Sequence, residues 1–411
     1  MFIVAIQGCE TTNDGSGGRQ DAGDAGGQDD GRAYAGLPDT VCDTEELRGR
    51  PAALPHNLIL IMGDGMGSQH IQAARIAKGN ELYIDALNGP VLYNTDSLSW
   101  DDNPGQVTPP DSASSITAAA TGYLVNNGVL NVGPDGEPFE TVMELAIKEG
   151  KSAGLATNSI VAAASPMGWA VHVPNRSLYK EITGELFTET RPDVVLGGWT
   201  PYFEENQAGY HLARAGGYEI VYTVEELSAL SAAFPQRTLG LFRVTSPADV
   251  WPPWEWGLTA MSLREPDTTE PTLVEMTQYA LQHLSGDPDG FFLFVENEHI
   301  DTIGHVAVDF PEQSAESMPP EVVELDDTVG TVLDWIEANS SFEESLIIVF
   351  SDHETGSYTL HGNDLSLATF DASPYHTAQR VPLYAAGPGA EHLGAISHVS
   401  HIYWLLTGRL P

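Results

Sequence analysis

FFLFVENEHIDTIGH, residues 291–305, sets a bulky apolar run directly before three side chains able to hold a metal ion. The run Phe291–Val295 is unbroken, which is the pattern of a strand buried on both faces of a parallel sheet; a strand with one wet face would alternate. In an open α/β sheet, ligands gather in the crevice beyond the carboxyl ends of the strands. Glu296, Asp301 and His305 leave the run at that end. Taken alone, the stretch reads equally well as two solvated loop carboxylates and a capping histidine. The rest of the chain decides between these readings.

Two other apolar runs end in the same way. Asn57–Met62 (NLILIM) gives way to Gly63-Asp64-Gly65-Met66-Gly67, and Ser68–Ala77 then has helical character. The glycines permit a sharp turn and close approach to a ligand, and Asp64 faces the same crevice. The spacing fits neither the dinucleotide nor the Walker pattern. Ser345–Ser351 (SLIIVFS) runs into Asp352-His353-Glu354-Thr355-Gly356, and Tyr375-His376-Thr377 precedes the short strand Val381–Ala385. Further strands are expected at Ser152–Asn158 and Asp193–Gly198, with helices at Thr272–Leu284 and around Glu321–Asn339. Mixed carboxylate and imidazole ligands suit zinc, and an oxygen-only set suits magnesium. The ligands exceed the need of one ion, so two zinc ions with a magnesium ion beside them are expected.

In Thr108–Gly122 (TPPDSASSITAAATG) two prolines stop the preceding chain, and Asp111 can cap a helix whose first turn holds Ser112. Unpaired N–H groups and the positive end of the helix dipole there favour an anion beside the hydroxyl. A free serine hydroxyl is a poor nucleophile, so Ser112 needs an activating neighbour; an ordinary capped helix is the plainer alternative. No G-x-S-x-G elbow surrounds it, which disfavours an acyl hydrolase. Arg176, in His172-Val173-Pro174-Asn175-Arg176, is either a bidentate clamp for a tetrahedral oxyanion or a surface ion pair. His172 reads as a packing or hydrogen-bonding residue. The cluster Trp251-Pro252-Pro253-Trp254-Glu255-Trp256 lines a rim or a subunit contact, or packs as a buried loop.

The formal charge of −41, from 17 basic and 58 acidic residues among 411, argues against a nucleic-acid or anionic-membrane partner. It also suits a salty medium that screens the repulsion. Residues 1–9 are too short to span a bilayer. Ile6-Gln7-Gly8-Cys9 nevertheless resembles the end of a bacterial lipoprotein signal, whose cysteine is lipidated. Residues 10–50 read as a flexible tether rich in Gly and Asp, and residues 51–411 as the catalytic domain. A disulfide between Cys9 and Cys42, or simply two unrelated thiols, is the alternative; the lipidated and the disulfide readings both point outside the cytoplasm.

GDGMG at Gly63–Gly67, PDSAS at Pro110–Ser114, HVPNR at His172–Arg176, VENEHID with His305, SDHETG at Ser351–Gly356 and His376-Thr377 before GPGA at Gly387 together resemble the alkaline phosphatase family. The resemblance implies a three-layer α/β sandwich around a large, mainly parallel sheet, and usually a homodimer. It implies that Asp301, His305 and His376 hold one zinc ion and that Asp64, Asp352 and His353 hold the other. Asp64 would reach magnesium with Ser165 and Glu296. Ser112 would be the nucleophile and Arg176 the phosphate clamp, giving a phosphoserine that water hydrolyses. Small phosphate monoesters are the implied substrates, with an alkaline optimum. A sulfatase, a phosphodiesterase or a tethered phosphate-binding protein are the alternatives. Ala163, two residues before Ser165, departs from relatives with Asp or His there, which bears on the magnesium site. Thr302 stands where relatives often place a large side chain near the phosphate.

Overall fold

The structure is a computed structural model that describes residues 52–79, 81–98, 107–204, 207–242, 258, 269–371 and 375–410. Cys9, Cys42, the tether and the Trp251–Trp256 cluster fall outside these residues. Within them the chain forms a nine-stranded sheet. Its strands are β1 (Asn57–Gly63), β2 (Asn88–Tyr93), β3 (Ser152–Ile160), β4 (Val194–Gly198), β5 (Tyr218–Val221), β6 (Arg237–Phe242), β7 (Phe291–Asn297), β8 (Ser345–Phe350) and β9 (Val381–Ala386). Their order in the sheet is β2-β9-β8-β1-β7-β3-β4-β6-β5. Every pairing from β8 to β5 is parallel, while β9 and β2 extend one edge as antiparallel strands.

The two-sided burial expected of the apolar runs explains the layers. Leu58, Leu60 and Met62 turn to one face of β1, where they join Phe292, Phe294 and Trp169. Ile59 and Ile61 turn to the other, beside Leu293 and Val295. The helices that bear on the site are α1 (Ser68–Lys78), α2 (Ser112–Thr121), α3 (Leu273–Leu284), α4 (His299–Val306) and α5 (Pro311–Asn339). Ala113, Ile116 and Ala119 of α2 pack on the first face. Met276 and Leu281 of α3 and Val322, Leu325 and Val329 of α5 cover the second. Each large apolar side chain so buried contributes about 1.5–3 kcal/mol. The result is the expected three-layer sandwich.

Two helix boundaries differ from the sequence reading. Thr272 is the cap of α3 rather than its first residue: its hydroxyl accepts from the Glu275 N–H at 3.0 Å, and the Glu275 carboxylate accepts from the Thr272 N–H at 2.7 Å. Helix α5 begins at Pro311, ten residues before the expected start at Glu321, and passes through Pro319 and Pro320. Those prolines lack the N–H that would continue the ladder, so sequence reasoning stops at them. Buried Met318 and Val322 on either side of them compensate by packing into the same apolar layer. Strand β3 likewise runs two residues past the expected end, to Ile160.

Candidate active site

Strands β8, β1, β7 and β3 are consecutive neighbours with a shared register: Met62 pairs with Phe350 and with Glu296, and Glu296 pairs with Thr157. Side chains just beyond this row therefore emerge side by side. Asp64 follows β1, Asp352 and His353 follow β8, and Glu296 lies near the end of β7. Helix α4 adds Asp301 and His305 one turn apart. A short antiparallel ladder pairing Thr355 with His376 brings the last histidine over the same end.

One donor group consists of Asp301, His305 and His376. His305 Nε2 lies 3.0 Å from Asp301 Oδ2 and 3.1 Å from His376 Nε2, and His376 Nε2 lies 3.6 Å from Asp301 Oδ1. The His376 Nδ1–H donates to the Pro110 carbonyl at 2.6 Å, which turns Nε2 toward the group. The second group consists of Asp64, Asp352 and His353, with His353 Nε2 3.0 Å from Asp352 Oδ2 and 3.5 Å from Asp64 Oδ1. The groups adjoin, because the His353 and His376 rings stack with centroids 3.5 Å apart. Asp301, His353 and His376 lie as close together as the second group does.

A third set surrounds Glu296. Its Oε2 accepts from the Thr157 hydroxyl, and Ser165 Oγ donates to Asp64 Oδ2 at 3.2 Å. Asp64 Oδ1, Glu296 Oε1 and Asp352 Oδ2 are buried without a hydrogen-bond partner. Burial, and then repulsion from Asp352, Asp301 and Glu296, pushes the Asp64 carboxyl well above its ordinary range. Burial pushes Glu296 up to about 7 against the hydrogen bond from Thr157. Burial opposes ionisation of Asp301 too, but the neighbouring His305 outweighs it and holds Asp301 well below the usual range. Burial, then the neighbouring His353, lowers His376 to about 4 and so keeps it neutral. Crowded carboxylates that each keep one oxygen without a donor, beside imidazoles, are what divalent cations require, so the residues fit such ions.

Asp111 caps α2 as expected: its Oδ1 accepts from the Ser114 N–H at 3.0 Å. Ser112 is buried at the first residue of that helix, with Oγ 3.5 Å from His353 Nε2. Arg176 Nη1 donates to Asp111 Oδ2 at 3.0 Å, and its side chain is 36% exposed, so it combines the ion pair with access to solvent. Ala163 precedes the turn Ala164–Met167 that carries Ser165, and it offers no donor. The Thr302 hydroxyl donates to Glu298 and is buried. His172 is a hydrogen-bonding residue, as read: Nδ1 lies 2.6 Å from Glu185 and Nε2 3.1 Å from the Phe139 carbonyl.

Sequence reasoning missed three residues here. Thr157 lies inside a strand where a threonine carries no signal, although its register with Glu296 places it. Asp111 appeared only as a cap, not as the partner of Arg176. Thr355 was quoted in SDHETG without a role, yet its hydroxyl contacts Asp301.

A family model described as alkaline phosphatase matches residues 55–402. Alkaline phosphatase H of Pseudomonas aeruginosa is 31% identical over 419 aligned residues, covering 86% of this chain and 85% of its own. The alkaline phosphatase of Thermus thermophilus superposes with a TM-score of 0.73 at 21% identity, covering 91% of this chain and 95% of its own. That of the Antarctic bacterium TAB5 gives 0.71 at 23%, covering 87% and 99%, and a variant of it is solved with Mg bound.

Proposed function

The chain belongs to the alkaline phosphatase family and is a phosphatase, and from that premise we propose that it hydrolyses phosphate monoesters through a phosphoserine on Ser112, with an alkaline optimum. The observation that carries the proposal is the position of Ser112 Oγ, 3.5 Å from His353 Nε2 at the buried start of α2. The hydroxyl thus borders the second donor group.

Asp301, His305 and His376 would hold one zinc ion, Asp64, Asp352 and His353 the other, and Asp64, Glu296 and Ser165 a magnesium ion. When bound, these ions lower the pKa of the attacking hydroxyl and neutralise charge on the phosphoryl and leaving oxygens. Arg176 binds two non-bridging phosphate oxygens, its guanidinium aimed by Asp111. Ser112 Oγ gives its proton to solvent and attacks phosphorus opposite the ester oxygen; the P–Oγ bond forms, the ester P–O bond breaks, and the alcohol leaves with a proton from solvent. Water then attacks the phosphoserine from the vacated side, which releases inorganic phosphate and returns a proton to Ser112. Most of the work is positioning and charge neutralisation, as phosphoryl transfer demands. No helix among the described residues is long and apolar enough to cross a membrane. A homodimer outside the cytoplasm, tethered through Cys9, completes the reading.

The test compares chromogenic phosphate monoester, sulfate ester and phosphodiester on purified protein, with metal analysis. The monoester is expected to be fastest, chelator to abolish turnover, and Ser112→Ala to lower kcat by about three orders of magnitude or more. Faster sulfate or diester turnover moves the protein to another activity of the superfamily. Phosphate binding without turnover makes it a tethered binding protein.

A further inference from the structure

Thr355 lies between the two donor groups and belongs to neither. Its hydroxyl makes a short hydrogen bond to Asp301 Oδ1 and sits 3.3 Å from His353 Nδ1. A hydroxyl has one proton and two lone pairs, and a carboxylate can only accept. The Thr355 proton therefore goes to Asp301. What the hydroxyl turns to His353 is a lone pair, so the hydrogen of a neutral His353 ring sits on Nδ1. That tautomer leaves the ring's own lone pair on Nε2, the atom that faces Asp352, Asp64 and Ser112.

The surroundings hold the hydroxyl in place. Thr355 is fully buried, its N–H donates to the Gly65 carbonyl at 3.1 Å, and it pairs with His376 in the short ladder. Its methyl is wedged against Gly304, where an added Cβ would come within 2.9 Å of Thr355 Cγ2. The rotamer that aims Oγ1 between Asp301 and His353 suits this packing and is held by the hydrogen bond to Asp301, which a serine would keep.

We propose that Thr355 is a positioning residue that sets the tautomer of His353 and the orientation of Asp301, so that one hydroxyl couples the two metal groups. The inference rests on the metal-dependent reading above. It makes the hydroxyl, rather than the bulk of the side chain, the part that matters. Outer hydrogen bonds of this kind change metal affinity or activity 10- to 100-fold when removed.

The experiment uses Thr355→Val, which keeps the shape and loses the hydroxyl, Thr355→Ser, which does the reverse, and Thr355→Ala. Zinc release from the zinc-loaded full chain into a chromogenic chelator is timed, and cobalt(II) loading is followed by its visible absorption; neither readout depends on turnover. Thr355→Val and Thr355→Ala are expected to release zinc about tenfold faster or more and to shift the cobalt spectrum, while Thr355→Ser stays within about threefold of wild type. Thermal unfolding of the chelated Val variant should match chelated wild type. If Thr355→Val does not fold, the Ser and Ala variants carry the comparison. Serine as impaired as alanine or valine overturns the proposal, since the methyl would then be the working part. A valine variant that holds zinc like wild type overturns it as well, while wild-type turnover leaves the phosphatase reading intact. A wild type that takes up neither zinc nor cobalt removes the metal-dependent reading and this inference together.

Discussion

His172 is placed so that alkaline conditions work against the fold. Burial disfavours its charged form, but the carboxylates of Glu144 at 3.4 Å and Glu185 at 2.6 Å outweigh that and lift it to about 10. A histidine raised above its unfolded value of about 6.5 contributes stability that is complete below that pH and disappears as pH rises through the folded value. Wild type is therefore expected to lose on the order of 4 kcal/mol more unfolding free energy between pH 6.5 and 10 than His172→Gln does, measured by urea denaturation at each pH. Equal slopes for the two proteins would remove the effect. The same residue anchors the segment that ends at Arg176, whose N–H donates to the Gly128 carbonyl at 2.7 Å, so loosening there should also raise KM. Thr302 makes a separate point about the product. Its hydroxyl is committed to Glu298. Threonine adds no positive charge there, so phosphate is expected to be held less tightly than with a lysine at this position. Thr302→Lys, with Glu298 as counter-ion, is expected to lower the inhibition constant for phosphate about three- to tenfold, a gain of about 1 kcal/mol. An unchanged constant in steady-state assays would count against that account.

The loop between β1 and α1 shows how little room the element ends leave. Gly65 has φ +68°, and a Cβ there would come within 2.8 Å of both Asp301 Oδ1 and Thr355 Oγ1. Gly65→Ala combines left-handed strain with a collision against two hydrogen-bonded oxygens, so a loss of about 2–4 kcal/mol and at least tenfold weaker zinc retention are expected. Calorimetry and metal analysis check both; retention of stability and zinc together would show that the loop relaxes freely. Elements of this kind were readable in the sequence where a local signal coincided with a buried one. Apolar runs ending in Asp64, Glu296 and Asp352 gave the sheet and its active end, because two-sided burial leaves an unbroken hydrophobic pattern. Asp111 before Ser112 gave the helix start by capping chemistry alone. What stayed hidden depends on pairing between distant strands. The order β8-β1-β7-β3, the antiparallel edge at β9 and the place of Thr157 follow from register, which no window along the chain records. The first ten residues of α5 stayed hidden for another reason: its prolines outweigh any periodicity in a local reading, and only packing on the sheet overrules them.

At the scale of the whole molecule, two kinds of like-charge repulsion act on one fold and respond to different remedies. The formal charge of −41 leaves like charges exposed to solvent, where mobile ions screen them; the Debye length falls from about 10 Å at 0.1 M salt to about 3 Å at 1 M. The carboxylates of Asp64, Glu296 and Asp352 are buried side by side, where salt does not reach and a bound cation or a proton neutralises them. Stability of the metal-loaded protein should consequently rise steadily from 0.05 to 1 M sodium chloride, by several degrees in Tm. A flat profile would remove the idea that the acidic surface is adapted to salt. Stripping the metals should lower Tm by more, on the order of 10 °C, because ions that bind only the folded chain stabilise it by mass action. If the two repulsions are separate, 1 M salt added to the stripped protein recovers the surface part alone, and the Tm gap between loaded and stripped protein persists at every salt concentration. If salt closes that gap, the buried carboxylates are accessible to solvent ions, and the compact nest of donors drawn from Asp64, Glu296, Asp301 and Asp352 is more open than their burial implies.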